Sequence, residues 1–260
     1  MGGFHHKKRI ENSKKNMDKK NIILTGSQGY LGILIQKELK YLNYNLIKID
    51  NKKNLFKDKD HYFSTDLNSE KEIKKTLAKI KRKYKKIDIL INAAALQVFS
   101  NFERRSFKEI NEMLNVNLRA AIIFSQFIFI NYFKKIKKGH IINIASIFGM
   151  KSPNFSNYKI GDRKSSETYG ASKAGLIQLT KYFANYMSSY NVRVNCISPG
   201  GIENNQIQSK NFIKRYAKLT PMKRMAKPNE IINFLIFLMS EKASYCNGQN
   251  FIIDGGYTIK

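Results

Sequence analysis

Cysteine is nearly absent from this chain: 260 residues contain two, Cys196 and Cys246. Two isolated thiols build neither a disulfide framework nor a zinc site, so both read as small buried hydrophobes and no metal is expected. Proline is scarce too, with four residues, and no later stretch rich in proline or glycine marks a linker. Long apolar runs are missing. No stretch approaches the ~18 uninterrupted apolar residues of a membrane span; the most apolar, AAIIFSQFIFINYF, carries polar breaks. The N-terminus lacks the apolar core of a signal peptide. It does not fit an acylation signal either, because His6 stands where Ser or Thr is required. A cytoplasmic protein with no membrane partner is expected.

Acidic residues are also few, 19 against 47 Lys and Arg, for a net charge of +28. Such an excess invites a nucleic-acid reading. The cations, however, are mostly lysine, spread along the chain beside abundant Asn and Ile, which is a compositional bias. Segments such as KKTLAKIKRKYKKID read as solvated helix faces. No nucleic-acid partner is expected, although the charge should steer small anions toward the protein.

Residues 1–20 are basic, lack apolar periodicity and read as a loose tail, with Met17 just ahead of the first strand. From residue 21 to 260, apolar runs alternate with helical segments. Strands are predicted at 21–26, 44–50, 87–94, 140–146, 192–198 and 250–254. Helices are predicted at 30–42, 69–84, 106–133, 168–189 and 228–240. Continuously apolar strands separated by helices predict a single-domain α/β fold of Rossmann type, a doubly wound parallel sheet with helices on both faces.

TGSQGYLG follows the first predicted strand and opens a helix, with glycines at 26, 29 and 32. In that setting they serve a tight turn, close approach of backbone to phosphate, and close packing of helix on strand. The helix N-terminus offers free N–H groups to a pyrophosphate. Gly26, Ser27, Gln28, Gly29, Tyr30, Leu31 and Gly32 are therefore candidate cofactor contacts. Asp50 ends the second strand, eighteen positions after Gly32, about where a carboxylate meets the adenosine ribose hydroxyls. Its charge opposes a 2′-phosphate, so NAD is favoured. Lys52 and Lys53 soften that repulsion and leave NADP open.

A second constellation carries the chemistry. In YGASK, Tyr169 and Lys173 lie one helical turn apart on one face. A free phenol has a pKa near ~10, too high to exchange protons readily at neutral pH. A fixed ammonium nearby lowers it, so the tyrosine can serve as general acid or base for an alcohol or ketone. Ser146, at the carboxyl end of a central strand, can bond the same substrate oxygen.

With these residues in place, the sequence resembles the short-chain dehydrogenase/reductase family over nearly all of residues 20–258. TGSQGYLG matches the family's TGxxxGxG, and TDL carries its adenine-contacting aspartate at Asp66, followed by Leu67. INAAA (Asn92, Ala93, Ala94) matches the NNAG region. NVNL carries the tetrad asparagine at Asn117, IASIFG its serine at Ser146, and YGASK its YxxxK. SPGGI (Pro199, Gly200, Ile202) follows the strand packed against nicotinamide, and NGQNFIIDGGYT closes the pattern. The resemblance implies hydride transfer to or from nicotinamide, with Tyr169 as acid/base and Ser146 orienting substrate. It also implies Lys173 lowering the tyrosine pKa and binding ribose, and Asn117 holding a relay water. Three positions depart from the pattern: Ala93 and Ala95 replace Asn and Gly, and Asn204 stands where Thr often contacts the carboxamide. The family also implies self-association as a dimer or tetramer through the apolar helices at 112–133 and 170–188.

Ser146 and Tyr169 are twenty-three residues apart, against about a dozen in common family members. The extra stretch, about 150–167, carries Lys151, Asn154, Asn157, Tyr158, Lys159, Arg163 and Lys164. It suits a polar, phosphorylated or nucleotide-linked sugar. With NCISPGGIENNQ and YCNGQNFIIDGGY, it resembles the bacterial oxidoreductases of flagellin glycan modification and nonulosonic-acid (legionaminate-type) sugar synthesis. Residues 203–226 match the family's mobile substrate lid, where Lys210, Lys214 and Arg215 could add anion contacts. Rival readings are a 3-oxoacyl-carrier-protein reductase, a polyol dehydrogenase, and a non-catalytic nucleotide-binding or nucleic-acid-associated protein.

Overall fold

The computed structural model describes residues 19–56, 61–159 and 164–260. Seven parallel strands form one sheet: β1 (Lys20–Thr25), β2 (Tyr44–Asp50), β3 (Tyr62–Ser64), β4 (Ile89–Asn92), β5 (Gly139–Ile144), β6 (Val192–Pro199) and β7 (Asn250–Ile253). Their order is β3-β2-β1-β4-β5-β6-β7. The order reverses between β1 and β4, and a crevice opens there beyond the strands' carboxyl ends. The helices are α1 (Tyr30–Leu39), α2 (Glu70–Lys83), α3 (Phe107–Ile136), α4 (Glu167–Met187), α5 (Lys210–Leu219) and α6 (Pro228–Met239).

Alternate side chains of each strand serve opposite faces. Ile23, Ile47, Leu90 and Ile141 pack with Leu77 of α2, Phe124 of α3 and Met187 of α4. Ile22, Leu24, Ile91 and Ile142 pack with Ile35 of α1 and Leu235 of α6 on the other face. That two-sided burial is why the strands read as unbroken apolar runs. The lysine-rich α2 is held by its one apolar stripe, Ile73, Leu77 and Ile80, while its lysines face out. Full burial of each such side chain stabilises by about 1.5–3 kcal/mol. Ser69 caps the helix, accepting a hydrogen bond from the Glu72 N–H.

Two expectations need correction. β1 begins at Lys20, inside the segment read as tail; residues 1–18 lie outside the described ones. β3 is an additional edge strand, too short at three residues to show a pattern. α3 is long and apolar enough to cross a membrane by length and composition. It is nevertheless a core helix, with Phe124, Ile128 and Phe133 fully buried against the sheet. Its hydrogen-bond ladder widens into π turns at Asn115–Arg119 and Phe129–Phe133.

A polar seam crosses the sheet interior. Asn92 Nδ2 donates to Asn143 Oδ1 (2.9 Å), and Asn143 Nδ2 donates to Thr180 Oγ1 (2.9 Å). Thr180 in turn donates to the Leu176 carbonyl (2.9 Å). Burial is offset where donors find acceptors, but the buried Asn92 Oδ1 has no hydrogen-bond partner among the described residues. The seam fixes β4, β5 and α4, and so the frame on which the site stands.

Candidate active site

The glycine turn leaves β1 with Gly26 at φ +71°, a conformation that disfavours any side chain. A Cβ on Gly32 would sit 2.1 Å from the Gly26 carbonyl oxygen, so α1 can lie this close only with glycine there. Gly26 therefore supplies the turn and Gly32 the packing, and Gly29 remains facing the cleft. The Thr25 hydroxyl accepts hydrogen bonds from the N–H groups of Ala93 (3.2 Å) and Ala94 (3.3 Å), tying the loop after β4 to the turn. Thr25 lay inside the quoted motif but drew no role from the sequence.

The resulting cleft has a volume of about 590 Å³. Gly26, Gly29, Tyr30, Leu31 and Gly32 line it at one side, with Asp50, Asp66, Leu67, Ala93 and Ala94 around them. Ser146, Tyr169, Lys173, Pro199, Gly200 and Ile202 line the far end. Asp50 accepts hydrogen bonds from the N–H groups of Gln28 (2.7 Å) and Lys52 (3.0 Å), which holds its carboxylate at the wall. The turn, the open helix N-terminus and this carboxylate fit an extended dinucleotide. Ala95 is exposed and forms part of the cleft wall.

Four expected cofactor contacts lie elsewhere. Ser27 is fully buried behind the turn. The Gln28 side chain accepts from the Leu55 N–H (3.1 Å). Asn92 belongs to the interior seam. Asn204 is buried at the start of the lid, its Oδ1 accepting from the Gln206 N–H (3.1 Å). None of the four lines the cleft.

A second cavity, about 400 Å³, adjoins the cleft. Ser146, Tyr169 and Gly200 belong to the walls of both. Among the described residues, the rest of this inner cavity is aromatic and uncharged: Phe99, Phe148, Tyr158, Phe212 and Tyr216, with Met225 and Ile207, and with Gln97 and Gln208 as its amides. The lid contains a helix the sequence reading missed, α5. Its Tyr216 stacks on Tyr257 at 5.2 Å and its hydroxyl accepts from the Gly201 N–H at 2.6 Å. The insertion leans on that helix. Arg215 Nε donates to the Asn157 carbonyl (2.9 Å), and Tyr158 meets Phe212 at 5.9 Å.

The expected anion contacts of insertion and lid do not gather in the inner cavity. Lys151 donates to the carbonyls of Tyr257 (3.3 Å) and Lys260 (2.8 Å). Asn154 accepts from the Ser156 N–H (3.1 Å), Arg215 is used on Asn157, and Lys210 and Lys214 are exposed. Lys159 and Lys164 line a neighbouring cavity. Arg163 lies outside the described residues.

Tyr169 and Ser146 stand together on the walls of both cavities. The Lys173 ammonium donates to the Ile144 carbonyl (2.8 Å) and lies 5.6 Å from the Tyr169 ring centre. The expected lowering of the phenol by Lys173 is not what this arrangement gives. Burial pushes Tyr169 above its ordinary value, and the group opposing that is the Ser146 hydroxyl. The same burial pulls Lys173 down to about 8. Asn117 is spent on protein: its Oδ1 accepts from the Leu96 N–H (2.7 Å), and its Nδ2 donates to the Leu96 carbonyl (2.9 Å) and Ser172 Oγ (3.1 Å). Ser172 in turn donates to the Tyr169 carbonyl (2.7 Å). The Asn117 side chain therefore positions the loop after β4 and the helix of Tyr169, leaving it no N–H for water.

The family profile described as enoyl-(acyl-carrier-protein) reductase matches residues 46–258. The chain belongs to the short-chain dehydrogenase/reductase family. It is an oxidoreductase of that family. Post-translational flagellin modification protein A of Campylobacter coli is 30% identical over 233 residues, covering 88% of this chain and 89% of the relative. A 3-oxoacyl-carrier-protein reductase of Thermotoga maritima is 32% identical over 191 residues, covering 72% and 73%. Among solved structures, a short-chain dehydrogenase of Leptospira borgpetersenii with bound NAD+ superposes with a TM-score of 0.86 at 36% identity, covering 95% of this chain and 96% of that one.

Proposed function

We propose that this short-chain dehydrogenase/reductase oxidises or reduces a carbon–oxygen bond of a phosphorylated or nucleotide-linked sugar, with NAD as cofactor, in surface-glycan synthesis in the cytoplasm. The observation that carries the reading is the shared wall: Ser146 and Tyr169 stand where the dinucleotide cleft opens into the inner cavity. A substrate held there presents its oxygen to the hydroxyls of these two residues beside the cofactor site. Bound nicotinamide supplies or accepts the hydride at that junction. Gly29 and the start of α1 would hold its pyrophosphate, Asp50 its adenosine ribose, and Lys173 its second ribose. Ser146 orients the substrate oxygen, and Tyr169 gives it a proton or takes one. Because the phenol is raised, it is protonated at neutral pH and ready to act as the acid; acting as a base, it gains as pH rises.

The inner cavity favours a sugar ring by its pairing of aromatic faces with the amide of Gln97, which matches hydroxyls as donor and acceptor at once, while the Gln208 amide is held by the Asn204 N–H (2.8 Å) and the Ile202 carbonyl (3.0 Å). Likeness to the flagellin modification protein agrees. An uncharged aromatic wall would equally seat an acyl chain, and the Thermotoga relative makes that the second reading. A panel of hexose phosphates and nucleotide sugars with NAD separates them. NADH formation with a sugar is expected, with NAD preferred over NADP about tenfold and the preference shrinking in Asp50→Ala. Turnover of a β-ketoacyl thioester with NADPH, and of no sugar, would overturn the proposal.

Self-association belongs to the same reading. Ile130 on α3 and Tyr182 and Tyr186 on α4 are exposed, and the two tyrosine rings stack 6.1 Å apart at the surface. A dimer or tetramer is expected in light scattering, and Tyr182→Lys/Tyr186→Lys should shift it toward monomer. A monomeric parent protein would refute this.

A further inference from the structure

We infer that Asn115 and Arg119, on the first π turn of α3, are positioning residues for the adenine end of the dinucleotide: both hold Asn68, which fixes the Asp66 carboxylate on the cleft wall. This role deepens the function proposed above and rests on its cofactor placement, with adenosine at the Asp50 end of the cleft.

Asp66, Leu67 and Asn68 form one stretch of the cleft wall, between β3 and α2. Three groups of Asn68 are engaged. Its N–H donates to Asp66 Oδ1 (2.9 Å). Its side-chain oxygen accepts from Asn115 Nδ2 (2.6 Å), and its carbonyl accepts from Arg119 Nη2 (2.7 Å). The last of these is charge-assisted, the stronger kind of hydrogen bond. Asn68 cannot swing without breaking its bonds to α3, and Asp66 leans on Asn68.

Helical geometry divides the labour. Residues four apart come round to one side of a helix, so Asn115 and Arg119 meet the loop after β3 together. Asn117, between them, turns the other way, to Leu96 and Ser172. Val116 itself lines the cleft. One π turn, a form that recurs at functional sites, is thus tied to the loop after β3 on one side and to the helix of Tyr169 on the other.

Arg119 is a poor choice for stability alone. Its Nε is buried with no hydrogen-bond partner among the described residues, and a donor left so is destabilising. Neither Asn115 nor Arg119 lines the cleft, so both act through Asn68. What they steady is a carboxylate, and a carboxylate accepts hydrogen bonds. Held in place, it selects a base edge that donates, such as the exocyclic amine of adenine. Hypoxanthine carries a carbonyl at that position, an acceptor set against an acceptor.

The test titrates NADH and its analogue, reduced nicotinamide hypoxanthine dinucleotide, by fluorescence. The parent protein is expected to favour NADH about tenfold, the scale of one hydrogen bond to a charged group. Asn115→Ala/Arg119→Met should weaken NADH about tenfold and the analogue no more than about twofold, so that the preference disappears. Arg119→Lys keeps a cationic donor for the Asn68 carbonyl and should retain most of the preference. The urea midpoint of Arg119→Met should not fall, because the orphaned Nε leaves with the substitution. Equal weakening of both dinucleotides, or a midpoint that falls in step with affinity, would reduce the pair to a structural role and overturn the inference. Unchanged NADH affinity in the double variant, or a parent with no preference between the bases, overturns it as well. Failure of the parent to bind NADH strikes instead the cofactor placement proposed above, and is read in the first titration.

Discussion

Tyr169→Phe abolishes redox turnover, by roughly 10²–10⁴-fold, while NADH affinity stays within about twofold. The substitution removes one oxygen and keeps the ring that walls both chambers. Ser146 still accepts from the Phe148 N–H (3.2 Å), so the local turn should hold. Stopped-flow absorbance at 340 nm reads the rate, and a fluorescence titration reads the cofactor. In the parent enzyme, alcohol oxidation should climb with pH, because the raised phenol must lose its proton to act as base. Ketone reduction should not. Undiminished turnover in the phenylalanine variant would remove the basis of the proposed chemistry.

Lys173→Met is expected to move activity and stability in opposite directions. Turnover should fall by roughly 10²–10³-fold, since a cation facing the reacting hydroxyls and the ribose is lost. Stability at neutral pH should not fall, although the hydrogen bond to the Ile144 carbonyl is lost. An unfolded lysine keeps its proton to about 10.5, whereas folded Lys173 gives it up at about 8. Between those values the unfolded state binds more protons, so parental stability must rise with pH there. Cys196 acts in the other direction. Burial pushes its thiol to about 11 from an ordinary 9, which costs stability above pH 9. The clean window is therefore pH 8 to 9. Urea denaturation there should show a positive slope in the parent and a flatter one in Lys173→Met. An equal slope in both would show that Lys173 folds in its charged form.

Much of this was readable from residues alone, for identifiable reasons. Ile22, Ile23 and Leu24 announce a strand buried on both faces, and TGSQGYLG announces the turn that follows it. Tyr169 and Lys173 are legible because four residues make one helical turn. What escaped is what depends on partners distant in sequence. KNFIKRYAKL has a helical stripe in Phe212, Ile213 and Tyr216, but that stripe acquires its use only when Tyr216 reaches Gly201 and Tyr257. The direction of Lys151 was invisible because its acceptors lie more than a hundred residues later. Asn92 and Asn143 look like polar breaks in strands until they are seen bonded to one another. The desolvation that raises the phenol and depresses its neighbouring lysine is likewise a property of the packed interior, which spacing does not record.

The Tyr30 hydroxyl donates to the Glu203 carbonyl at 2.7 Å, a strut from the glycine turn to the first residue of the lid. Tyr30 and Ile202, at and beside its two ends, line the dinucleotide cleft, whereas the inner chamber is walled by the lid helix and the insertion. The bond ties the glycine turn to the lid, so a lid carried away from the cleft tugs on the loop that would seat the cofactor.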